Sequence, residues 1–155
     1  MTNTSMPFPI YAELSAGAVI YKKKNSEISV AIIHRKKMND YSLPKGHQTL
    51  GESLQKTLDR EILEETGWTI EVEDFIKQMT YKVVNNDKKI EYWRNVYWFL
   101  ARGLKETASF ADPNEVDSLE WLPVDKAINK LTHENEKEVL VMAVDKLTGR
   151  NLPNA

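Results

Sequence analysis

From Ser53 to Thr66 the chain reads SLQKTLDREILEET, and this stretch limits the possible folds more than any other. Leu54, Leu58 and Ile62 recur at every fourth position and Gly67 interrupts the pattern. That spacing predicts an amphipathic helix whose apolar stripe must be buried against a second layer. The flanking sequence has a different period. Upstream, Ser15 to Tyr21 and Ile28 to His34 are short and apolar or β-branched, with the polar run Lys22 to Glu27 between them; they read as two strands and a turn. A loop containing Met38 to Gln48 leads to the helix. Downstream, Thr69 to Glu73, Phe75 to Val84 and Lys89 to Ala101 read as strands, the last two joined at Asn85-Asn86-Asp87. Ser118 to Leu122 reads as a strand closed by Pro123, followed by helices from Val124 to Leu131 and from Glu134 to Leu147. Strands interleaved with helices predict a layered α/β domain.

With 155 residues, 41% of them apolar, the chain has material for one sizeable core. We expect one domain over residues 11–150, preceded by a loosely held arm at 1–10 that carries two prolines. The 21 basic and 23 acidic residues leave a formal charge of −2. No global field favours nucleic acid or anionic membrane, so neither is an expected partner and any attraction for phosphate must be local. The absence of cysteine excludes disulfides, thiolate metal sites and a thiol nucleophile. No apolar run reaches the roughly 18 residues of a membrane span, and the opening MTNTSMPFPI lacks the features of a secretory signal, which makes the cytoplasm the expected location. Nothing fixes the oligomeric state. In the strand ending near Ala101, Trp93, Tyr97 and Phe99 share one face and Tyr92, Arg94, Val96, Trp98 and Leu100 the other, so both faces are expected to be covered.

The helix also carries the chemistry. Glu61, Glu64 and Glu65 stand at i, i+3 and i+4, which puts three carboxylates on adjoining positions beside the apolar stripe. Neighbouring anions raise one another's pKa, and a hard divalent cation with oxygen ligands keeps them ionised together. Arg60 is placed to hold a carboxylate through paired hydrogen bonds. Taken by itself, REILEE is equally compatible with a solvated acidic face.

The wider pattern separates these readings. Gly46 is followed after five residues by Glu52 and after seven more by Arg60-Glu61-Ile62-Leu63-Glu64-Glu65-Thr66-Gly67-Trp68. This resembles the Nudix box, G-x5-E-x7-R-E-U-x-E-E-x-G-U with U a bulky apolar residue, and every fixed position is matched. At average residue usage, chance agreement in one register is on the order of a few in a billion. The resemblance covers residues 46–68 and implies an α/β/α sandwich with a mixed sheet. It implies a magnesium-dependent phosphoanhydride hydrolase, with manganese as a possible substitute. Glu64 and Glu65 would ligate the metal, Glu61 would ligate or act as general base, and Arg60 would orient Glu61. Glu52 would be a ligand directly or through water, and the Lys45 carbonyl matches a position that often ligates. The family often takes one more carboxylate from a distant loop. Within Asp112-Pro113-Asn114-Glu115 we single out Glu115, ahead of Glu91 and Asp117, as this ligand or base or else as a turn residue. Thr57-Leu58-Asp59 before the box arginine and the aromatic Trp68 at its end depart from the common pattern without removing a catalytic group; Trp68 is expected to be core.

Arg35, Lys45 and His47 are candidate contacts for a polyphosphate, whereas Lys36-Lys37 reads as surface. The entrance LPKGH resembles that of diadenosine tetraphosphate hydrolases and some nucleoside triphosphate pyrophosphatases. No proline stands in the Tyr81-Lys82-Val83-Val84 neighbourhood, as ADP-ribose pyrophosphatases would have, and Tyr81 is a candidate for stacking on a base. The expected substrate is a small nucleotide, preferably a dinucleoside polyphosphate. The alternatives are an ordinary or oxidised nucleoside triphosphate, then a non-catalytic sensor or an RNA 5′-end pyrophosphohydrolase.

Overall fold

The computed structural model describes residues 10–107 and 114–150. Of the arm expected at residues 1–10, residues 1–9 lie outside the described residues, as do Asp112 and Pro113 of the acidic segment, while Ile10 opens the first strand. Ten elements follow one another: β1 (Ile10–Lys24), β2 (Glu27–Arg35), β3 (Asp40–Ser42), β4 (Lys45–His47), α1 (Leu54–Thr66), β5 (Trp68–Asn85), β6 (Ile90–Glu106), β7 (Val116–Pro123), α2 (Val124–Lys130) and α3 (Glu134–Arg150). Every strand and helix read from the sequence is present, and several are longer. The turn between β1 and β2 shrinks to Asn25 and Ser26, both at positive φ, a geometry that lets the flanking strands pair up to Lys24 and Glu27. The stretch read as a loop before the helix contains the short strands β3 and β4. Their register is set by β2 and β1, far off in sequence, so no local period announces them.

The strands form one mixed sheet in the order β3-β2-β1-β6-β5, with β7 along the other edge of β2 and β4 beside β1. β1 and β6 run parallel from Ile10 to Tyr21 of β1, and the other pairings are antiparallel. The strand alternation sends successive residues of β1 to opposite faces. Ala16, Ala18 and Ile20 pack with Leu58 and Ile62 of α1 on one side. Val19 and Tyr21 pack on the other with Ala127 and Leu131 and with Val139, Leu140 and Ala143 of α3. The result is the expected α/β/α sandwich.

Near its fork the sheet changes partners. β1 pairs with β2 only from Tyr21 to Lys24, then bonds Pro44 through the amide of Ala18 (3.1 Å), then pairs with β4 at Ser15 to Gly17. The box entrance is therefore clamped into the sheet beside the central strand. On β6, Val96, Trp98 and Leu100 are buried as expected. The expectation that both faces are covered fails at Trp93, which is 43% exposed, as is Phe75 of β5 at 44%.

Candidate active site

Helix α1 starts and stops where its sequence dictates. The Ser53 side chain accepts the amide of Lys56 (3.1 Å), and Gly67 at φ 76° closes the helix through an N–H bond to the Leu63 carbonyl (2.9 Å). Leu58 and Ile62 anchor the helix on the sheet, which turns Glu61, Glu64 and Glu65 towards β4. A cavity of about 320 Å³ opens there. Among its walls are those three glutamates, Glu115 from the segment before β7, and Arg35, Lys45, His47 and Arg94.

Arg60 organises the carboxylates. Its Nε and Nη2 donate to the two oxygens of Glu52 (2.6 and 2.9 Å), Nη1 to Glu61 (2.7 Å) and Glu64 (3.1 Å), and Nη2 also to the carbonyl of His47 (2.8 Å). Glu52 accepts in addition from the Thr49 amide (2.9 Å) and the Thr57 hydroxyl (3.1 Å). The Arg60 guanidinium and the Thr49 amide hold Glu52 well below the usual carboxylate range. Glu52 is thus tied to the start of α1 and stands off the cavity wall, where it fixes the arginine that touches Glu61 and Glu64.

Glu61 and Glu65 experience the opposite pressure. Burial pushes Glu61 up and the charges of Glu64 and Glu115 add to it, against the lowering effect of Arg60. Burial pushes Glu65 up to about 8, with the charge of Glu61 adding, although its Oε1 accepts the Lys45 amide (2.8 Å). Gly46 explains why these groups can be so close to β4: a Cβ on that residue would overlap the Glu61 carboxylate.

Basic residues form the rest of the charged wall. Arg35 donates through Nε and Nη2 to both oxygens of Asp40 (2.9 and 2.6 Å), and His133 Nε2 meets the same carboxylate (2.6 Å). Asp40 is buried, which alone would raise its pKa, but its bonds to Arg35 and His133 outweigh burial and bring it to about 2. Arg94 was not singled out by sequence reasoning. Its Nε donates to Glu13 (2.7 Å) and its Nη2 to the Tyr92 hydroxyl (2.9 Å). Glu13 also reaches His47 Nδ1 (3.2 Å), which bonds the Ser15 hydroxyl (2.8 Å). Burial, with Arg94 and Lys45 nearby, pushes the His47 imidazole down against the pull of Glu13.

The remaining candidates separate cleanly. Tyr81 is packed against the core and lies behind Arg94, 6.0 Å from its guanidinium, and does not line the cavity. Glu91 pairs with Lys82, and Asp117 bonds His34 (2.7 Å), so neither faces the site whereas Glu115 does. Lys37 is exposed as expected but reaches the cavity rim. Trp68 is half-buried edge-on to Trp121 (5.0 Å between ring centroids), away from the cavity.

The donor set fits a hard divalent cation. It offers the carboxylates of Glu61, Glu64 and Glu65, the first and last raised in pKa, with Glu115 on the same cavity. Among the described residues no three acidic or imidazole groups already form a closed cluster, and Arg60 bridges Glu61 and Glu64 instead.

The sequence profile of the NUDIX domain matches residues 12–144, and the chain belongs to the NUDIX hydrolase family. The family generally uses divalent metal cations. The chain is 35% identical over 136 residues to an 8-oxo-(d)GTP phosphatase of Mycolicibacterium smegmatis, covering 81% of this chain but only 39% of that protein. It thus spans well under half the length of that relative. It is 27% identical over 117 residues to an RNA pyrophosphohydrolase of Erythrobacter litoralis, covering 68% of this chain and 71% of that one. The fold matches a crystal structure of a C. elegans Ap4A hydrolase with a TM-score of 0.72 at 21% identity, covering 88% of this chain and 98% of the other. Among the described residues no helix is long and apolar enough to cross a membrane.

Proposed function

We propose that this protein hydrolyses a phosphoanhydride bond in a nucleoside polyphosphate, with magnesium as the cofactor and manganese as a substitute. The observation that carries this reading is that Glu61, Glu64, Glu65 and Glu115 line one cavity together with Arg35, Lys45 and Arg94. Glu61, Glu64, Glu65, Glu115 and the Lys45 carbonyl are the proposed metal ligands. Glu52 joins them through water or acts through Arg60. The bound cation would neutralise charge on the phosphate oxygens as it develops.

The chain's own residues do the rest. Glu61 accepts the proton of the attacking water while Arg60 Nη1 fixes its orientation. The water oxygen bonds to phosphorus, and the bridging oxygen leaves with the electron pair of the broken anhydride bond. Arg35, Lys45, His47 and Arg94 hold the polyphosphate against the acids, and the tie of Arg35 to Asp40 and of Arg94 to Glu13 keeps each guanidinium aimed.

The LPKGH entrance favours a dinucleoside polyphosphate such as diadenosine tetraphosphate. A second reading, an oxidised nucleoside triphosphate, is favoured by the 35% identity to an 8-oxo-(d)GTP phosphatase. Tyr81 would then act by backing Arg94.

The test is nucleotide or phosphate release, with and without magnesium, from diadenosine tetraphosphate, ordinary and 8-oxo nucleoside triphosphates, ADP-ribose and triphosphorylated RNA. Metal-dependent cleavage led by the first compound and lost in Glu64→Gln supports the reading. Fastest turnover on an 8-oxo triphosphate moves the substrate to the second reading, and cleavage led by ADP-ribose or RNA overturns both. A Glu115→Gln enzyme with unchanged turnover and metal dependence removes Glu115 from the ligand set.

A further inference from the structure

Glu136 lies in the first turn of α3, within the charged run ENEKE, yet it is only 3% exposed. Its Oε1 accepts the Leu43 amide (2.7 Å) and the Ser42 hydroxyl (3.1 Å), and its Oε2 is 3.5 Å from the Lys45 ammonium. A carboxylate is costly to bury unless charged or hydrogen-bonding partners surround it. Here the hydrogen-bonding and ion-pair partners named, Ser42, Leu43 and Lys45, belong to the segment that leads into the box, and the Arg35 guanidinium is near enough to add its charge. That same segment supplies the amide that bonds Glu65 (2.8 Å), and the next residue is the glycine packed on Glu61. The Lys45 side chain is 12% exposed, runs over the ring of Trp98 with Nζ 5.9 Å from its centroid, and forms part of the cavity wall.

We propose that Glu136 is a positioning residue for the cavity. It seats the Lys45 ammonium at the wall to receive the substrate's polyphosphate, and it holds the Ser42–Lys45 backbone against Glu65 and Glu61. The inference rests on the reading of this cavity as a polyphosphate site. An ammonium has three donors, so one can face Glu136 while the others remain for phosphate oxygens. A lysine already held in place loses less rotamer freedom on binding than a free one, and that difference appears as affinity.

Glu136→Gln separates the two tasks, because the amide oxygen still accepts from Leu43 and Ser42 while the charge that holds Lys45 is gone. The probe is inorganic triphosphate in excess magnesium, its binding followed by calorimetry in four proteins: unaltered, Glu136→Gln, Lys45→Met and the double variant. The expected result is a loss of about tenfold in affinity from Glu136→Gln in the unaltered background and less than about twofold in the Lys45→Met background. Equal loss in both backgrounds, or no loss in either, overturns the proposal and leaves the polyphosphate reading intact. No binding by the unaltered protein overturns that reading and the proposal with it. Should Glu136→Gln fail to fold, Glu136→Asp retains the charge on a shorter stem and is expected to show a smaller loss with the same dependence on Lys45; independence from Lys45 counts against the proposal in the same way.

Discussion

The backbone of Gly46 lies directly against the carboxylate of Glu61, with no space for a side-chain carbon between them. One strand residue thereby sets how near the acidic helix comes to the sheet. Gly46→Ala is expected to push α1 or Glu61 outward and to cut turnover about 100-fold, the cost of roughly an ångström of misplacement in a reacting group. Steady-state kinetics in magnesium read this directly. Activity within twofold of the unaltered protein would mean that the contact carries no catalytic information.

Arg60 makes five hydrogen bonds through three nitrogens, to Glu52, Glu61, Glu64 and the His47 carbonyl. A lysine cannot reproduce that fork. Arg60→Lys should therefore lower turnover by more than about tenfold and destabilise the fold by roughly 1–2 kcal/mol, since bonds to charged groups are lost and Glu52 is left under-partnered. Urea unfolding and kinetics on the same preparation give both numbers, and a variant that is slow yet fully stable would assign Arg60 a purely chemical role.

Burial pushes Glu65 up to about 8 from an unperturbed 4.5. A folded-state pKa above the unfolded one means the fold binds the extra proton, so this group's favourable contribution is present below pH 4.5 and is lost as pH rises towards 8. A divalent cation binds the ionised form and should oppose that loss. The rise in melting temperature on adding magnesium is expected to be larger at pH 8.5 than at pH 6, and much reduced in Glu65→Gln. A magnesium effect independent of pH would contradict this assignment.

Asp40 has the opposite sign. Its bonds to Arg35 and His133 bring it to about 2 from an unperturbed 3.8, so its contribution is present above pH 4 and disappears as pH falls through 2. That lowering corresponds to about 2–3 kcal/mol at neutral pH. Unfolding free energies measured between pH 5 and 2 should fall more steeply for the unaltered protein than for Asp40→Asn, and parallel curves would show that the Arg35 pair is worth little to the fold.

The helix, its carboxylates and the alternation of the strands could be read from the sequence because each rests on a local period or an end signal: Leu58 and Ile62 are buried, Ser53 and Gly67 mark the ends. The cationic wall was only half legible. Arg35, Lys45 and His47 are close to the box in sequence, but Arg94 and Glu13 are brought together by the parallel β1–β6 register, which pairs Glu13 with Arg94 and has no local trace. Tyr81 stands outside the lining of this cavity for a related reason, since strand alternation gives its face but not what stands in front of it. Glu136 is the clearest miss. A glutamate in ENEKE looks like solvent-facing charge until the chain folds and places β3 and β4 over it.

The parallel pairing of β1 with β6 has a consequence for the order in which the molecule assembles. Ile10 pairs with Glu91 and Tyr21 with Arg102, so about eighty residues of chain must close before this register exists, and such distant pairings form slowly. The acids of α1 stand with Arg35, Lys45 and His47 in the first half of the chain, but Arg94 and Glu115 reach the cavity only after the second half has docked beside the first. During synthesis neither the acid set nor the phosphate-holding set is whole until that docking, since each draws one member, Glu115 and Arg94, from the second half, and the completed cavity becomes a marker that the fold itself is complete.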